Sequence, residues 1–187
     1  RWWIVGVSVV LLAWFLPALV AHTPIVDRVV HSVASDLNGQ VSVEAVSLGW
    51  FSPVRVQGIS LADKQQQQVL EVPQAESEKT LLGLLLNSSR PGTFRLVAPK
   101  LSVAFQGGSS NIEQILAAYL ESDEESTSQV GFGVEVVDGS VLATDVDRGR
   151  CWSIEKLQVA VQIPGDGAPL SLTASGVLAD PQQGGRF

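Results

Sequence analysis

Methionine is absent from the 187 residues, cysteine and tyrosine occur once each, and histidine occurs twice. The single cysteine, Cys151, excludes an internal disulfide and any cage of cysteines around a metal. Basic residues are also scarce: 12 Lys and Arg stand against 19 Asp and Glu, a net charge of −7. A nucleic-acid surface needs clustered cations, so that class of partner is excluded. Aromatic residues make up 6% of the chain, which leaves the burying of surface mainly to Val, Leu, Ile and Ala. Without a disulfide, an exported domain of this composition has to rest on core packing and a sheet ladder. The 17 glycines and 9 prolines point to many turns. The chain opens on Arg1 and stops at Gly184-Gly185-Arg186-Phe187, just after a strand-like stretch. With methionine lacking, this reads as a piece of a longer protein, trimmed at both ends.

Charge is missing altogether from Trp2 to Ala21. About 20 residues at ~1.5 Å each span ~30 Å, the hydrocarbon thickness of a bilayer. Only a helix satisfies its own backbone there, so the run predicts a transmembrane anchor over residues 1–22. Arg1, Trp2 and Trp3 suit a headgroup layer at one end, and the acidic remainder lies on the other side. This places the N-terminus in the cytoplasm and everything after His22 outside it. A cleaved signal peptide is the competing reading; a cut after Ala21 puts Leu19 at −3, where a small residue is wanted.

Thr23-Pro24 offers a helix cap and a first-turn proline. Ile25, Val26, Val29, Val30, Val33 and Leu37 then form one apolar stripe at helical spacing, and Asn38-Gly39 closes it. Residues 23–39 therefore read as an amphipathic helix that lies on a membrane or plugs the domain behind it. From Gln40 the period changes to two. A first β block, residues 40–120, is expected to hold strands around Val41–Trp50 and Val54–Leu61, with a slip at Gly58. A third strand begins at Val69, and Pro73 marks it as an edge strand. Thr80 caps a short helix, Leu81–Leu86, too greasy to leave in water and expected to close one side of the sheet. Strands follow around Thr93–Val97 and Leu101–Phe105, and Asn111 opens another helix. Residues 121–129 form an acidic linker. In the second β block, residues 130–187, Asp138-Gly139 is a hairpin signal between two short strands. Trp152 to Ile163 forms a strand pair or one long bulged strand. The count is about seven to nine strands, mostly antiparallel by their short connections.

The order of these elements resembles the N-terminal region of AsmA-like envelope proteins, relatives of the TamB and bridge-like lipid-transfer proteins. The resemblance is carried by Gly39-Gln40-Val41-Ser42-Val43, Leu48-Gly49-Trp50-Phe51-Ser52-Pro53-Val54, Val56-Gln57-Gly58-Ile59-Ser60-Leu61-Ala62-Asp63 and Leu81-Leu82-Gly83-Leu84-Leu85. It continues through Arg95-Leu96-Val97-Ala98-Pro99-Lys100-Leu101, Asn111-Ile112 and Val136-Val137-Asp138-Gly139-Ser140-Val141. Gly107-Gly108-Ser109-Ser110 departs from the Asp-Gly expected before the Asn. The resemblance implies a mainly β fold in which the anchor and amphipathic helix precede a curled, mostly antiparallel, groove-like sheet with one or two short helices. It also implies an inner-membrane, single-pass protein whose β-domain lies in the periplasm. Such a sheet shields acyl chains while lipids move between membranes, contributing to envelope biogenesis.

The residues themselves offer apolar strand faces that need a cover. Leu101, Val103, Phe105, Val130, Phe132, Val134, Val136, Val159, Val161 and Ile163 are the candidates for contact with lipid. A facing sheet would cover them equally well, and the pattern leaves groove and closed core open. The expected partners are membrane lipids, reached through Trp2–Ala21 and this face; other envelope proteins are the alternative, bound by an anchored β-sandwich adaptor. No metal or cofactor is expected: His22 and His31 suit surface roles, and Asp138, Asp145, Asp147 and Asp166 fall in turns without EF-hand spacing. Cys151 reads as a packing residue. No Gly-x-Ser-x-Gly or phosphate loop is present, so no enzyme is expected.

Overall fold

The computed structural model describes residues 14–17, 19–21, 23, 37–121, 130–164 and 169–179. Most of the expected anchor, the body of the amphipathic helix, the acidic linker and both histidines lie outside that set. Residues 14–17 and 19–21 are helical. Among the described residues no helix is long and apolar enough to cross a membrane.

The fold is mainly β. Ten strands share one sheet: β1 (Gln40–Ser42), β2 (Ala45–Ser47), β3 (Pro53–Ala62), β4 (Gln68–Thr80), β5 (Gly92–Val97), β6 (Lys100–Gln106), β7 (Ser109–Ser110), β8 (Phe132–Asp145), β9 (Arg150–Ile163) and β10 (Ser171–Ala179). Among the described residues two helices lie between its strands, α1 (Leu81–Leu86) and α2 (Asn111–Glu121). The described parts of both β blocks are joined in this one sheet. Pairing is antiparallel except where β8 runs parallel to β5 and to β6. A parallel neighbour needs a crossover, and residues 107–131, including α2, provide it.

Local chemistry explains the corners. Asp63 Oδ1 accepts from the backbone N–H groups of Gln65 and Gln67 at 2.9 and 2.8 Å, folding the β3–β4 tip as an Asx turn. Asp145 Oδ1 accepts from Arg148 N at 3.0 Å at the β8–β9 tip. Thr80 Oγ1 accepts from Gly83 N at 3.2 Å, the expected cap of α1. Ser110 and Glu113 form a reciprocal capping box on α2: Ser110 N donates to Glu113 Oε2 at 2.9 Å, and Glu113 N to Ser110 Oγ at 3.2 Å. Asn111 then substitutes for a strand, accepting from Ala104 N and donating to Ser102 O, both at 3.0 Å.

Several expectations are corrected. Asp138-Gly139 is no hairpin; it lies in the middle of the 14-residue β8. The type I′ turn that Asp-Gly favours needs positive φ at both residues, and of the two only Asp138 has it, at 57°. Pro73 is no edge marker. β4 is interior, paired with β3 on one side and with β5 and β6 on the other. Nor does α1 close the sheet: no residue in it is buried, and Leu85 and Leu86 are exposed. Cys151 is exposed rather than packed. The long bulged strand expected over Trp152–Ile163 is present as β9.

The displaced turn signal belongs to a larger feature. Left-handed backbone occurs inside four strand lines, at Gly58 (φ 62°), Ala98 (49°), Asp138 (57°) and Lys156 (54°). Register aligns them. Gly58 lies between the pairs Gln57↔Gln74 and Ile59↔Val72, which sets it opposite Pro73. Pro73 lies between Gln74↔Val97 and Glu71↔Lys100, opposite Ala98. Ala98 lies beside Asp138, between Val97↔Val137 and Lys100↔Ser140. The β8–β9 register shifts on both sides of Gly139, and the β9–β10 register shifts at Gly176. A crease thus crosses β3, β4, the β5–β6 line, β8, β9 and β10. Such irregularities bend a strand and re-aim its side chains. Two backbone bonds of 2.8 Å, Ala98 N to Val137 O and Ser140 N to Pro99 O, hold the sheet together across it.

Candidate functional site

The crease explains why the apolar positions change parity along each strand. On one side of it the apolar row is Val46, Val56, Ala75, Leu96, Val136, Val159 and Ala174, each opposite the next. On the other side it is Val41, Leu61, Leu70, Leu101, Val141, Ile154 and Leu178. In β8 these rows use an even and then an odd number, which in an unbroken strand would mean opposite faces. The contacts show one face instead. A Cβ built on Gly139 would lie 2.8 Å from Val136 Cγ1, 3.3 Å from Pro99 Cγ and 3.5 Å from Leu157 Cβ. One built on Gly176 would lie 2.9 Å from Ile154 Cγ2 and 3.3 Å from Leu157 Cδ1. Ile154 and Leu157, of unlike parity, therefore share a side.

Nine of the ten candidate residues come together on this face: Leu101, Val103 and Phe105 on β6, Phe132, Val134 and Val136 on β8, and Val159, Val161 and Ile163 on β9. The pairs Val134↔Val161, Val136↔Val159 and Phe132↔Ile163 stand directly opposite. Val130 lies just before β8, outside the ladder. None of the ten is buried: Phe105 and Val130 are exposed and the rest are half-buried. Among the described residues Val69, Val72 and Ile115, each 2% exposed, are the buried aliphatic side chains other than proline. Val72, Pro99 and Gly139 are buried along the crease itself. Sequence reasoning missed that line of contact; the signal was Gly58, Pro73, Pro99, Gly139 and Gly176 falling at one level of a sheet whose register was not yet known.

The opposite face is charged and self-compensating. Arg55, Glu76, Arg95 and Glu135 stand in one row across β3, β4, β5 and β8. Arg55 Nη2 lies 3.0 Å from Glu76 Oε1, and Arg95 Nη2 lies 3.0 Å from Glu135 Oε2. Beyond the crease, Lys100 Nζ lies 3.4 Å from Glu71 Oε2. A cleft of about 490 Å³ runs along this row, lined by Pro53, Glu76, Ser77, Glu78, Thr93, Arg95 and Glu135. Ser77, buried beside it, is fully engaged: its Oγ accepts from Val54 N at 3.0 Å and donates to Lys79 O at 2.6 Å.

No family model, curated protein or solved structure matches the chain. The site therefore has to be judged by its own chemistry. Among the described residues no three His, Cys, Asp or Glu side chains converge as a metal site would require. What the described residues offer is an aliphatic surface seven strands wide, whose two rows carry no polar side chain to orient a ligand. At ~4.8 Å between strands, that is wide enough for an extended acyl chain.

Proposed function

We propose that the protein is a membrane-anchored envelope protein whose exported sheet binds or conducts lipids along its apolar face. The observation that carries this reading is the apolar face: two aliphatic rows crossing the sheet, with every candidate residue left half-buried or exposed. A contiguous apolar surface of this extent marks a site for an apolar partner. Acyl chains fit it because they ask for area and exclude polar contacts. The crease supports a curled, groove-like shape, since bulges bend the strands they interrupt. The charge-free run from Trp2 to Ala21 supports an anchor in the inner membrane, and the resemblance to AsmA-like proteins supports a periplasmic β-domain. The reading assigns no catalytic step.

The test uses the full chain and a photoactivatable phospholipid, with adducts mapped by peptide mass spectrometry. Adducts are expected on β8 and β9, and Val134→Asp is expected to lower them several-fold. Its cost in stability is expected to stay under about 1 kcal/mol, because the site is half-open; burying an unpaired charge in a closed core costs more than about 3 kcal/mol. Adducts confined to residues 1–23, or a collapse of stability, would overturn the reading.

One observation favours an adaptor that binds other envelope proteins. Every residue of β10 from Ser171 to Leu178 is exposed, and the strand carries no charge or proline to blunt strand addition. An adaptor would lose its partner, and keep its lipid, when Thr173 becomes Pro.

A further inference from the structure

Three stretches without a charged residue contribute described residues to one end of the sheet. The first is residues 2–21. The second, residues 45–54, lies between Glu44 and Arg55, and the third, residues 80–89, between Lys79 and Arg90. Leu82 N donates to Trp50 O at 3.2 Å, which ties α1 to the Trp50-Phe51 turn. The ring of Trp14 lies 5.7 Å from that of Phe51, which brings this residue of the first stretch to the same place. The side chains there face outward: Phe51 is 67% exposed, Leu85 63%, Leu86 79% and Trp14 59%. Leu16 and Leu19 are exposed as well. No apolar surface of the sheet receives them.

The border of this tip is cationic. A cleft of about 670 Å³ at the same end is lined by Lys79, Arg90, Thr93, Gln162 and Ser171 with neighbouring glycines and prolines, and among the described residues no carboxylate lines it. Lys79 Nζ donates to Arg90 O, which holds the two residues together. The nearby Glu78 is turned to the backbone, accepting from Thr93 N at 3.0 Å. The far end of the sheet is different in kind. Its tips carry Asp63-Lys64-Gln65-Gln66 and Asp145-Val146-Asp147-Arg148.

We infer that this end of the sheet docks on a lipid bilayer, with Phe51, Leu85 and Leu86 entering the acyl boundary and Lys79 and Arg90 meeting headgroup phosphate. Leucines and an aromatic on a charge-free surface, bordered on one side by Lys79 and Arg90, match the interfacial layer. Full insertion of Leu85 and Leu86 removes apolar area that is otherwise in water. The docking makes no use of the apolar sheet face, so the two readings fail separately.

The test places a single nitrobenzoxadiazole probe in the full chain, in vesicles of phosphatidylcholine and phosphatidylglycerol. Cys151 is first changed to Ser, since its exposure would compete for label. Probes go at Leu86→Cys and Phe51→Cys, and at Gln66→Cys on the far tip. At positions 86 and 51 the emission is expected to shift to the blue. Iodide quenching there is expected to fall several-fold below position 66, and lipids with nitroxide on the acyl chain are expected to quench. Probes at 86 and 51 that iodide reaches as readily as 66 would overturn the docking. Protection from iodide without quenching by the nitroxide lipids would overturn it too, because a protein would then cover the tip. Both substituted residues are exposed, and their two positions check one another. Loss of docking with face adducts retained at Val134 sinks this inference alone.

Discussion

On one face of the sheet Arg55, Glu76, Arg95 and Glu135 stand side by side on four strands and pair at 3.0 Å. One position along, on the other face, Val56, Ala75, Leu96 and Val136 stand side by side on the same four strands. The same backbone thus carries a surface that is complete in water and one that is not. An exposed ion pair of this kind contributes about 0.2–1 kcal/mol, so the charged face adds solubility and register more than stability. The apolar face is where the free energy of an added apolar partner is available, at ~25 cal/mol per Å² covered. The difference depends on the crease. Without a coordinated slip, each strand would present its aliphatic residues on one face before the slip and on the other after it.

The comparison is most sharply broken at Gly139. Gly139→Val puts methyl groups where a Cβ alone already lies 2.8 Å from Val136 Cγ1. An expected loss of about 2–3 kcal/mol follows from overpacking a buried position, read from the midpoint of urea unfolding. A loss below about 0.5 kcal/mol would show that the crease gives way freely and does not fix the face. A smaller effect of opposite sign is expected at Ala98, which holds φ 49° against its side chain. Ala98→Gly relieves a left-handed conformation that costs an L-residue roughly 1 kcal/mol. A gain of about 0.5–1 kcal/mol is expected, with lipid adducts on β8 unchanged. A destabilisation would mean that chain entropy outweighs strain there. The smallest effect concerns the charged face. A double-mutant cycle on Arg95→Ala and Glu135→Ala should give a coupling of about 0.5 kcal/mol. It should shrink in high salt and leave lipid adducts untouched. A coupling above about 2 kcal/mol would make the charged face a structural element equal to the apolar one.

Strand content, the capped start of α1 at Thr80, the opening of α2 at Asn111 and the slip at Gly58 were legible from local pattern, because caps and alternation are properties of neighbouring residues. The capping box of Ser110 and Glu113 was missed, although the spacing Ser-x-x-Glu carries its signal. Asp138-Gly139 misled because Asp accepts a left-handed backbone equally in a turn and in a bulge. Pro73 misled for a similar reason: a strand tolerates proline at a bulge as well as at an edge. The ten candidate residues were found by alternation, and nine of them share a face. Why they do could not be seen, since parity changes at a slip whose position depends on the neighbouring strands. The apolar tip was half visible: Leu81–Leu86 was plainly too greasy for water, but its contact with Trp50 spans 32 residues of chain.

By itself the sequence determined the mainly β character, the charge-free run at residues 2–21, the aliphatic stock of the strands and the scarcity of cysteine, histidine and clustered cations. These are sums and short-range patterns, and each residue contributes to them regardless of where the chain goes. Tertiary structure decided that β8 runs parallel to β5 and β6, that one crease crosses every long strand, and that Trp14, the Trp50-Phe51 turn and α1 meet at one end. Those outcomes rest on register between distant strands, and register is set only when side chains from several of them compete for the same space.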